Sequence, residues 1–421
     1  MTKQRAKRPW GVFVAIIAAM IFGSYAGKDA AVLGFSLYSV FDTIGTIFLN
    51  SLLLVVVPLV TASIITGISR IRGEEGFGRL GVKMFTFYIS TSLMAILIGL
   101  LFVNLFHPGA SFSMSTEGLD MEKMAKLQSS VANEEGHAFI RVLISIIPSN
   151  IVRAFAQGEM LGVIFFSLVF GYAITKVDDS SATTMKSFFQ SLFATMIQFT
   201  RVIMRFLPYG VFCLVAKAFM VSGIVSIERL ALFTVTVLLS LATFMFVGLP
   251  LMLKYIAKVK PLRHFRAMAP ALITAFSTSS SSATLPVTID CVEKRAGVSN
   301  RICGIVVPLG TSINMSGSAL YECVAAMFVA QAYGIEISFV MQFVVVFMAL
   351  ITSIGVAGIP SASLVAILVI LNAIGLPAEG IGLFIAVDRI LDMCRTTVNV
   401  FSDSCCAVLV ARSEGETQVL S

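Results

Sequence analysis

Ten apolar runs, near residues 10–27, 38–69, 82–106, 138–176, 184–221, 228–257, 267–292, 299–332, 337–375 and 378–411, leave this chain little choice of fold. With 57% hydrophobic and 13% charged residues over 421 positions, a water-soluble core cannot absorb them. About 20 consecutive apolar residues cross a bilayer as a helix. Hydrocarbon offers the backbone no water to bond, so the runs read as helices and the chain as an all-α polytopic membrane protein.

The formal net charge of +7 does not point to nucleic acid, because its placement follows topology. Lys3, Arg5, Lys7 and Arg8 precede the first run; Arg70, Arg72, Arg79 and Lys83 flank a later turn; Lys254, Lys258, Lys260, Arg263 and Arg266 flank another. The 108–137 loop instead holds Glu117, Asp120, Glu122, Glu134 and Glu135 against Lys123 and Lys126. Basic turns inside and an acidic loop outside follow the positive-inside rule. No Asn-x-Ser/Thr sequon falls in an external loop, which fits a bacterial inner membrane, and the start of the chain reads as a retained first span.

Two runs are ill-suited to crossing. Residues 267–292 comprise two short apolar arms around Ser277-Thr278-Ser279-Ser280-Ser281-Ser282-Ala283-Thr284, with basic residues on both flanks. Residues 337–375 are interrupted at Ser353-Ile354-Gly355-Val356-Ala357-Gly358-Ile359-Pro360-Ser361, where Gly and Pro cannot sustain a helix. Read as re-entrant hairpins, they leave eight transmembrane helices with both termini cytoplasmic. Interrupted segments at matching positions of two halves point to a transporter's binding site. Ser280 lies 34 residues before Asn314, and Gly358 lies 34 before Asp392.

The last run carries Asp388, Asp392, Arg395, Asn399 and Asp403, at steps of 4, 3, 4 and 4. At about 100° per residue all five share one helix face. An Asp or Arg at the centre of a membrane helix costs about 2.5–3.5 kcal/mol, so these groups require partners, ions or a ligand. Residues 299–332 are broken at Gly310–Ser318 and hold a further acid, Glu322. Excess carboxylates in apolar sequence call for cations, protons or metal ions that favour oxygen ligands. One arginine among them suits a substrate carboxylate, which its planar fork grips at two points. Cations with an anionic organic substrate suggest symport. The chain lacks a Gly-x4-Gly-Lys-Ser/Thr loop and a His-Glu-x2-His motif, which argues against an enzyme. Seven irregularly spaced cysteines read as small buried hydrophobes.

These motifs carry a family resemblance. Thr278–Pro286, Asn314-Met315-Ser316-Gly317, Ala357-Gly358-Ile359-Pro360 and Asp392-x2-Arg395-Thr396-x2-Asn399-x3-Asp403 resemble those of the dicarboxylate/amino acid:cation symporters, the glutamate/aspartate transporter family. The likeness spans nearly the whole chain and is densest over 270–412. It implies the family's fold of inverted repeats and a homotrimer with an elevator mechanism, in which residues 1–81 and 138–221 form a scaffold. Residues 82–106 and 222–421 would form the part that carries substrate, with 107–137 an external loop.

The resemblance also implies site roles. Ser280 and Ser281 of one tip, and Ala357, Gly358, Ile359, Pro360 and Ser361 of the other, would enclose substrate. Asp392 and Asn399 would bind its α-amino and α-carboxyl groups, Ser318 and Thr396 would line the pocket, and Arg395 would take the side-chain carboxylate. One sodium site would use Gly310, Asn314, Asn399 and Asp403, and a second Ser312 and Met315 with the backbone of Ser353, Ile354 and Val356. A third would use Tyr88, Thr91 and Asn314, but Ser316 stands where the family usually has Asp. A second arginine common in the family is absent, with Ser279 and Met393 at its two usual places. Asp388 is therefore expected to lack its partner unless Arg389 substitutes. Glu322 is similar to the proton-carrying glutamate of proton-coupled members. The expectation is uptake of acidic amino acids with fewer than three sodium ions and a proton. Transport of neutral amino acids or C4-dicarboxylates, or a substrate-gated anion channel or sensor, are the alternatives.

Overall fold

The apolar runs fold into helices wherever the computed structural model describes them, which is over residues 10–420 apart from 28–29, 33–34, 70–76, 111–146, 158–159, 204, 223–224, 336, 356–361, 378–379 and 382–384. The first helices are α1 (Trp10–Ala26), α2 (Leu37–Ser69), α3 (Phe77–Phe106), α4 (Ile151–Gln157), α5 (Met160–Ile174), α6 (Asp179–Ile203), α7 (Leu207–Ser222) and α8 (Val225–Thr243). They continue with α9 (Leu249–Tyr255), α10 (Pro261–Thr278), α11 (Ser281–Asp290), α12 (Asn300–Ile313), α13 (Ser316–Ala332), α14 (Phe339–Gly355), α15 (Ala362–Ala373) and α16 (Ile385–Ser413). Ala31–Val32 and Phe35–Ser36 pair as a two-residue antiparallel ribbon, the one departure from helical architecture among the described residues. Three described stretches are long and apolar enough to cross a membrane by length and composition: Arg79–Phe106, Leu230–Tyr255 and Asn300–Ala332.

Proline explains two local departures from the hydropathy pattern. The run 184–221 is not one helix; it breaks between α6 and α7, where Pro208 falls in the first turn of α7 and its missing N–H leaves no donor unpaired. Likewise, α8 passes through a π-helical turn, Phe244–Gly248, before Pro250 in the first turn of α9, which makes room for the ring against the preceding carbonyls.

The helices pack in two groups. Helix α1 lies on α7, and α2 on α5, α6 and α7. Helix α3 instead packs on α8, α13 and α16; α10, α11 and α12 pack on α16; α14 and α15 pack on α13. Helices α13 and α16 form the centre of the second group. Helix α13 is buried along nearly its whole length, and α16 is buried continuously from Val398 to Ala411. By contrast, Ile89, Leu93, Leu97, Leu101 and Leu105 form an exposed stripe at four-residue spacing on α3, a face suited to lipid.

Both expected interruptions bring helical arms together. Helices α10 and α11 pack on each other, and the serine run supplies the reversal. Ser279 ends α10 in the left-handed region at φ 49°, where a C-terminal cap commonly sits, with its N–H on the Ala275 carbonyl. Ser280 is extended and caps α11, its hydroxyl accepting the Ala283 N–H at 3.2 Å. Helices α14 and α15 also pack on each other. The residues expected at their tip, Val356, Ala357, Gly358, Ile359, Pro360 and Ser361, lie outside the described residues.

Candidate functional site

The charged face of α16 is buried as its spacing requires. Asp388, Asp392, Arg395, Thr396, Asn399 and Asp403 are all buried, Arg395 completely. Arg395 donates from Nη1 to Asp388 Oδ1 and from Nη2 to Asp392 Oδ1, each at 3.0 Å. Its guanidinium stacks over the Tyr321 ring of α13, 3.8 Å from the centroid. A desolvated guanidinium on a phenol face gains from the ring quadrupole as well as from the carboxylates. Its Nε has no hydrogen-bond partner among the described residues.

This arrangement corrects one expectation. Asp388 does not lack a partner, because Arg395, seven residues on and two turns along the helix, bridges Asp388 and Asp392 together. Arg389 does not substitute at Asp388; its Nη1 lies 3.6 Å from Asp392 Oδ2. Two arginines thus face two aspartates, and the charges of this cluster balance.

Below it, the break between α12 and α13 supplies polar backbone. Asn314 and Met315 hold ψ values of 67° and 52°, which end one helix and start the next. The α13 N-terminus needs acceptors. Asn399 Oδ1 provides one, taking the Gly317 N–H at 2.8 Å and the Ser318 N–H at 3.3 Å. The Asn399 amide nitrogen donates to Ser318 Oγ at 3.1 Å and to Met315 Sδ at 3.3 Å. Asn399 therefore helps to join α16 to the break.

One turn deeper, Asp403 Oδ1 accepts from Asn314 Nδ2 at 2.9 Å. A Cβ on Gly310 would sit 2.6 Å from the same oxygen, so only glycine admits the carboxylate there. Gly310, Asn314 and Asp403 are thus in contact, with Asn399 one turn away on the same face. A knot of polar groups surrounds Asn314. Its Oδ1 accepts from Thr91 Oγ1 at 3.1 Å and from Ser316 Oγ at 2.8 Å, and its Nδ2 reaches Ser402 Oγ at 3.1 Å. Ser316 Oγ also lies 3.1 Å from Ser402 Oγ and 3.3 Å from Ser92 Oγ. Tyr88 is one turn off this knot, its hydroxyl on the Val306 carbonyl at 2.5 Å.

The other expected site residues that the structure describes differ in burial. Ser318 and Ser281 are buried, Ser280 is half-buried at the α10–α11 tip, and Ser312 and Ile354 are half-buried. Ser353 is buried with its hydroxyl on the Leu350 carbonyl at 2.8 Å. Glu322 is completely buried on α13, and Thr352 Oγ1 of α14 donates to its Oε2 at 2.9 Å.

Sequence reasoning passed over Ser92, Ser402, Thr352 and the ring of Tyr321. Lone Ser and Thr in membrane helices commonly bond a carbonyl one turn back, and Thr352 does so to Met348. Nothing in the sequence separates that role from a second bond across to another helix. For Tyr321 a signal existed, an aromatic one position before an intramembrane acid.

A family model described as the sodium:dicarboxylate symporter family matches residues 10–413. The proton/sodium-glutamate symport protein of Bacillus caldotenax is 33% identical over 411 residues, covering 97% of this chain and 94% of its own. A proton/glutamate-aspartate symporter of Escherichia coli is 32% identical over 407 residues, covering 96% and 92%. Excitatory amino acid transporter 3 of Homo sapiens is 33% identical over 448 residues, covering 96% and 85%.

Proposed function

The chain belongs to the sodium:dicarboxylate symporter family, and from that premise we propose that it takes up the acidic amino acids glutamate and aspartate together with sodium ions and protons. It is a transporter and not an enzyme. Relatives named as proton/sodium-glutamate and glutamate-aspartate symporters support this substrate class over neutral amino acids, C4-dicarboxylates or a channel or sensor role.

The observation that carries the reading is the buried Arg395, clamped by Asp388 and Asp392 over Tyr321. An acidic amino acid presents an ammonium and a side-chain carboxylate. The ammonium takes Asp392, and the carboxylate takes the guanidinium edge that Asp392 gives up. Asp388 keeps the other edge and holds the fork in place. Each buried charge thereby exchanges one opposite charge for another and is never left bare, which would cost several kcal/mol. A neutral amino acid makes only the first exchange and leaves Arg395 short of a partner. Asn399, Ser318 and Thr396 face the α-carboxylate and pocket wall, with the tip serines Ser280 and Ser281 closing one side.

Cations bind where oxygen donors converge without enough positive charge. Asp403 has Asn314 as its hydrogen-bond donor and the Gly310 backbone beneath it, and with Asn399 this set suits a sodium ion. Ser312 and Met315 with the backbone of Ser353, Ile354 and Val356 form the second set. At the third, the Ser316 hydroxyl bonds Asn314 where a carboxylate would add charge, so that place holds sodium weakly or not at all. Glu322, buried and bonded through one oxygen, carries the proton.

The two packing groups fit a scaffold of α1, α2 and α4–α7 and a moving part of α3 and α8–α16. The assembly we propose is a homotrimer in a bacterial inner membrane, with eight spans, two re-entrant hairpins and cytoplasmic termini. Uptake of labelled glutamate, aspartate, serine and succinate into proteoliposomes, with sodium and proton gradients imposed separately, tests the reading. Acidic amino acids are expected to accumulate under either gradient and most under both. Failure to concentrate them under any gradient overturns it.

A further inference from the structure

Glu322 meets both arms of the α14–α15 hairpin, and what it meets on the first is a hydroxyl with more acceptors than protons. Thr352 Oγ1 lies 2.9 Å from Glu322 Oε2, and 2.9 and 3.4 Å from the Met348 and Ala349 carbonyls of its own helix. A hydroxyl has one proton, so it serves Glu322 or its own helix at a time. Glu322 Oε1 has no hydrogen-bond partner among the described residues, and Ser363, the second residue of α15, lies beside the carboxylate. Helices α14 and α15 carry no titratable side chain. The charged group facing Glu322 is Arg395 of α16, itself held by Asp388 and Asp392; Tyr321 and Cys323 flank it on α13.

From this geometry we infer that Thr352 is a positioning residue for the proton step, clasping the hairpin arm α14 to α13 through a hydrogen bond whose direction reverses with the charge of Glu322. With Glu322 ionised, Thr352 donates to the carboxylate and the bond is charge-assisted. With Glu322 protonated, the carboxylic O–H donates to Thr352 Oγ1, and the threonine proton turns to the Met348 carbonyl. No proton leaves the pair in this rotation; the one gained comes from solution and stays on Glu322. The clasp is stronger in the ionised state, so protonation loosens the arm from α13. This rests on Glu322 being the proton carrier.

The test measures the pH at which glutamate uptake is half-maximal in proteoliposomes under a sodium gradient. Thr352→Val keeps the side-chain shape and removes the hydroxyl; Thr352→Ala does the same with less bulk and serves if the valine variant fails to fold. The ionised carboxylate loses its charge-assisted donor in both, so proton uptake is favoured and the midpoint is expected to rise by about one pH unit. Thr352→Ser is expected to restore the parental midpoint, which a merely structural role for the side chain does not demand. An unchanged midpoint in the valine and alanine variants, or a serine variant shifted as far as they are, overturns the inference. Glu322→Gln separates the two levels. If it leaves the pH response intact, the proton-carrier reading itself fails; if it abolishes the response while Thr352→Val leaves the midpoint unmoved, only the clasp does.

Discussion

Replacing Gly310 by alanine probes how closely the candidate sodium site is built around its carboxylate. The new Cβ would lie 2.6 Å from Asp403 Oδ1 and 2.8 Å from Cγ. To reach even 3.0 Å the oxygen must retreat by about 0.4 Å, toward α16's own backbone, in an interior packed as densely as a crystal. That motion stretches the 2.9 Å bond from Asn314, a hydrogen bond to a charged group worth roughly 1.5–3 kcal/mol. If sodium needs this oxygen in place, its apparent affinity in aspartate uptake should fall by about tenfold to a hundredfold. Gly304, on the same helix, provides the control, since a Cβ there meets nothing within 4 Å. Alanine at either position gains about 0.8–1 kcal/mol of helix propensity, so the comparison isolates the contact. The assay is a sodium titration of labelled aspartate uptake for Gly310→Ala and Gly304→Ala beside the parent. Equal sodium dependence in all three would refute the argument.

Arg395→Cys should abolish uptake of glutamate and aspartate and open the site to serine or alanine; competition by a panel of amino acids reads this, and undiminished glutamate uptake would remove Arg395 from its role. Ser316→Asp restores a carboxylate beside Asn314 and should steepen the sodium dependence of uptake, seen as a higher Hill slope in a sodium titration. At the end of α16, Glu414 is bonded by Lys83, and that bond, with the charges of Lys83, Arg79 and Arg301, holds its carboxyl below the ordinary glutamate range. A carboxylate held low in the fold adds stability at pH above its unfolded value of about 4.3, and loses it as pH falls through the lower folded value. Glu414→Gln should therefore lower thermal stability by about 0.5 kcal/mol at pH 7, with no difference from the parent in strong acid.

Much of the site was legible because membrane burial makes polar residues conspicuous. The stripe on the last helix, the Asn314 break and the serine turn each violate the apolar rule and lie where their spacing put them. Reciprocal partners were less legible. The resemblance implied a missing counter-charge for Asp388, because the family's second arginine is absent; the fold lets a single guanidinium, Arg395, bridge two carboxylates a turn apart. The strand of polar contacts through Ser92, Ser316 and Ser402 joins three helices, and no periodicity on any one of them announces it. The C-terminal tail was equally silent. Arg263 and Ala296 both bond Leu420, and Glu416 takes the Ser299 N–H, so the tail ties the base of the α10–α11 hairpin to the end of α16.

The balanced quartet Asp388, Arg389, Asp392 and Arg395 lies within two turns of a single helix, which bears on how that helix reaches its place. Four separate charges at mid-bilayer would cost roughly 10–14 kcal/mol, enough to keep a segment out of lipid. Here each acid is paired with a base of its own helix, at spacings of three and seven residues, without help from any other helix. The last helix therefore brings its own counter-ions to biogenesis and can enter the membrane before it docks among the helices that enclose it. Losing either arginine should reduce the amount of protein inserted, as well as alter what the finished protein carries.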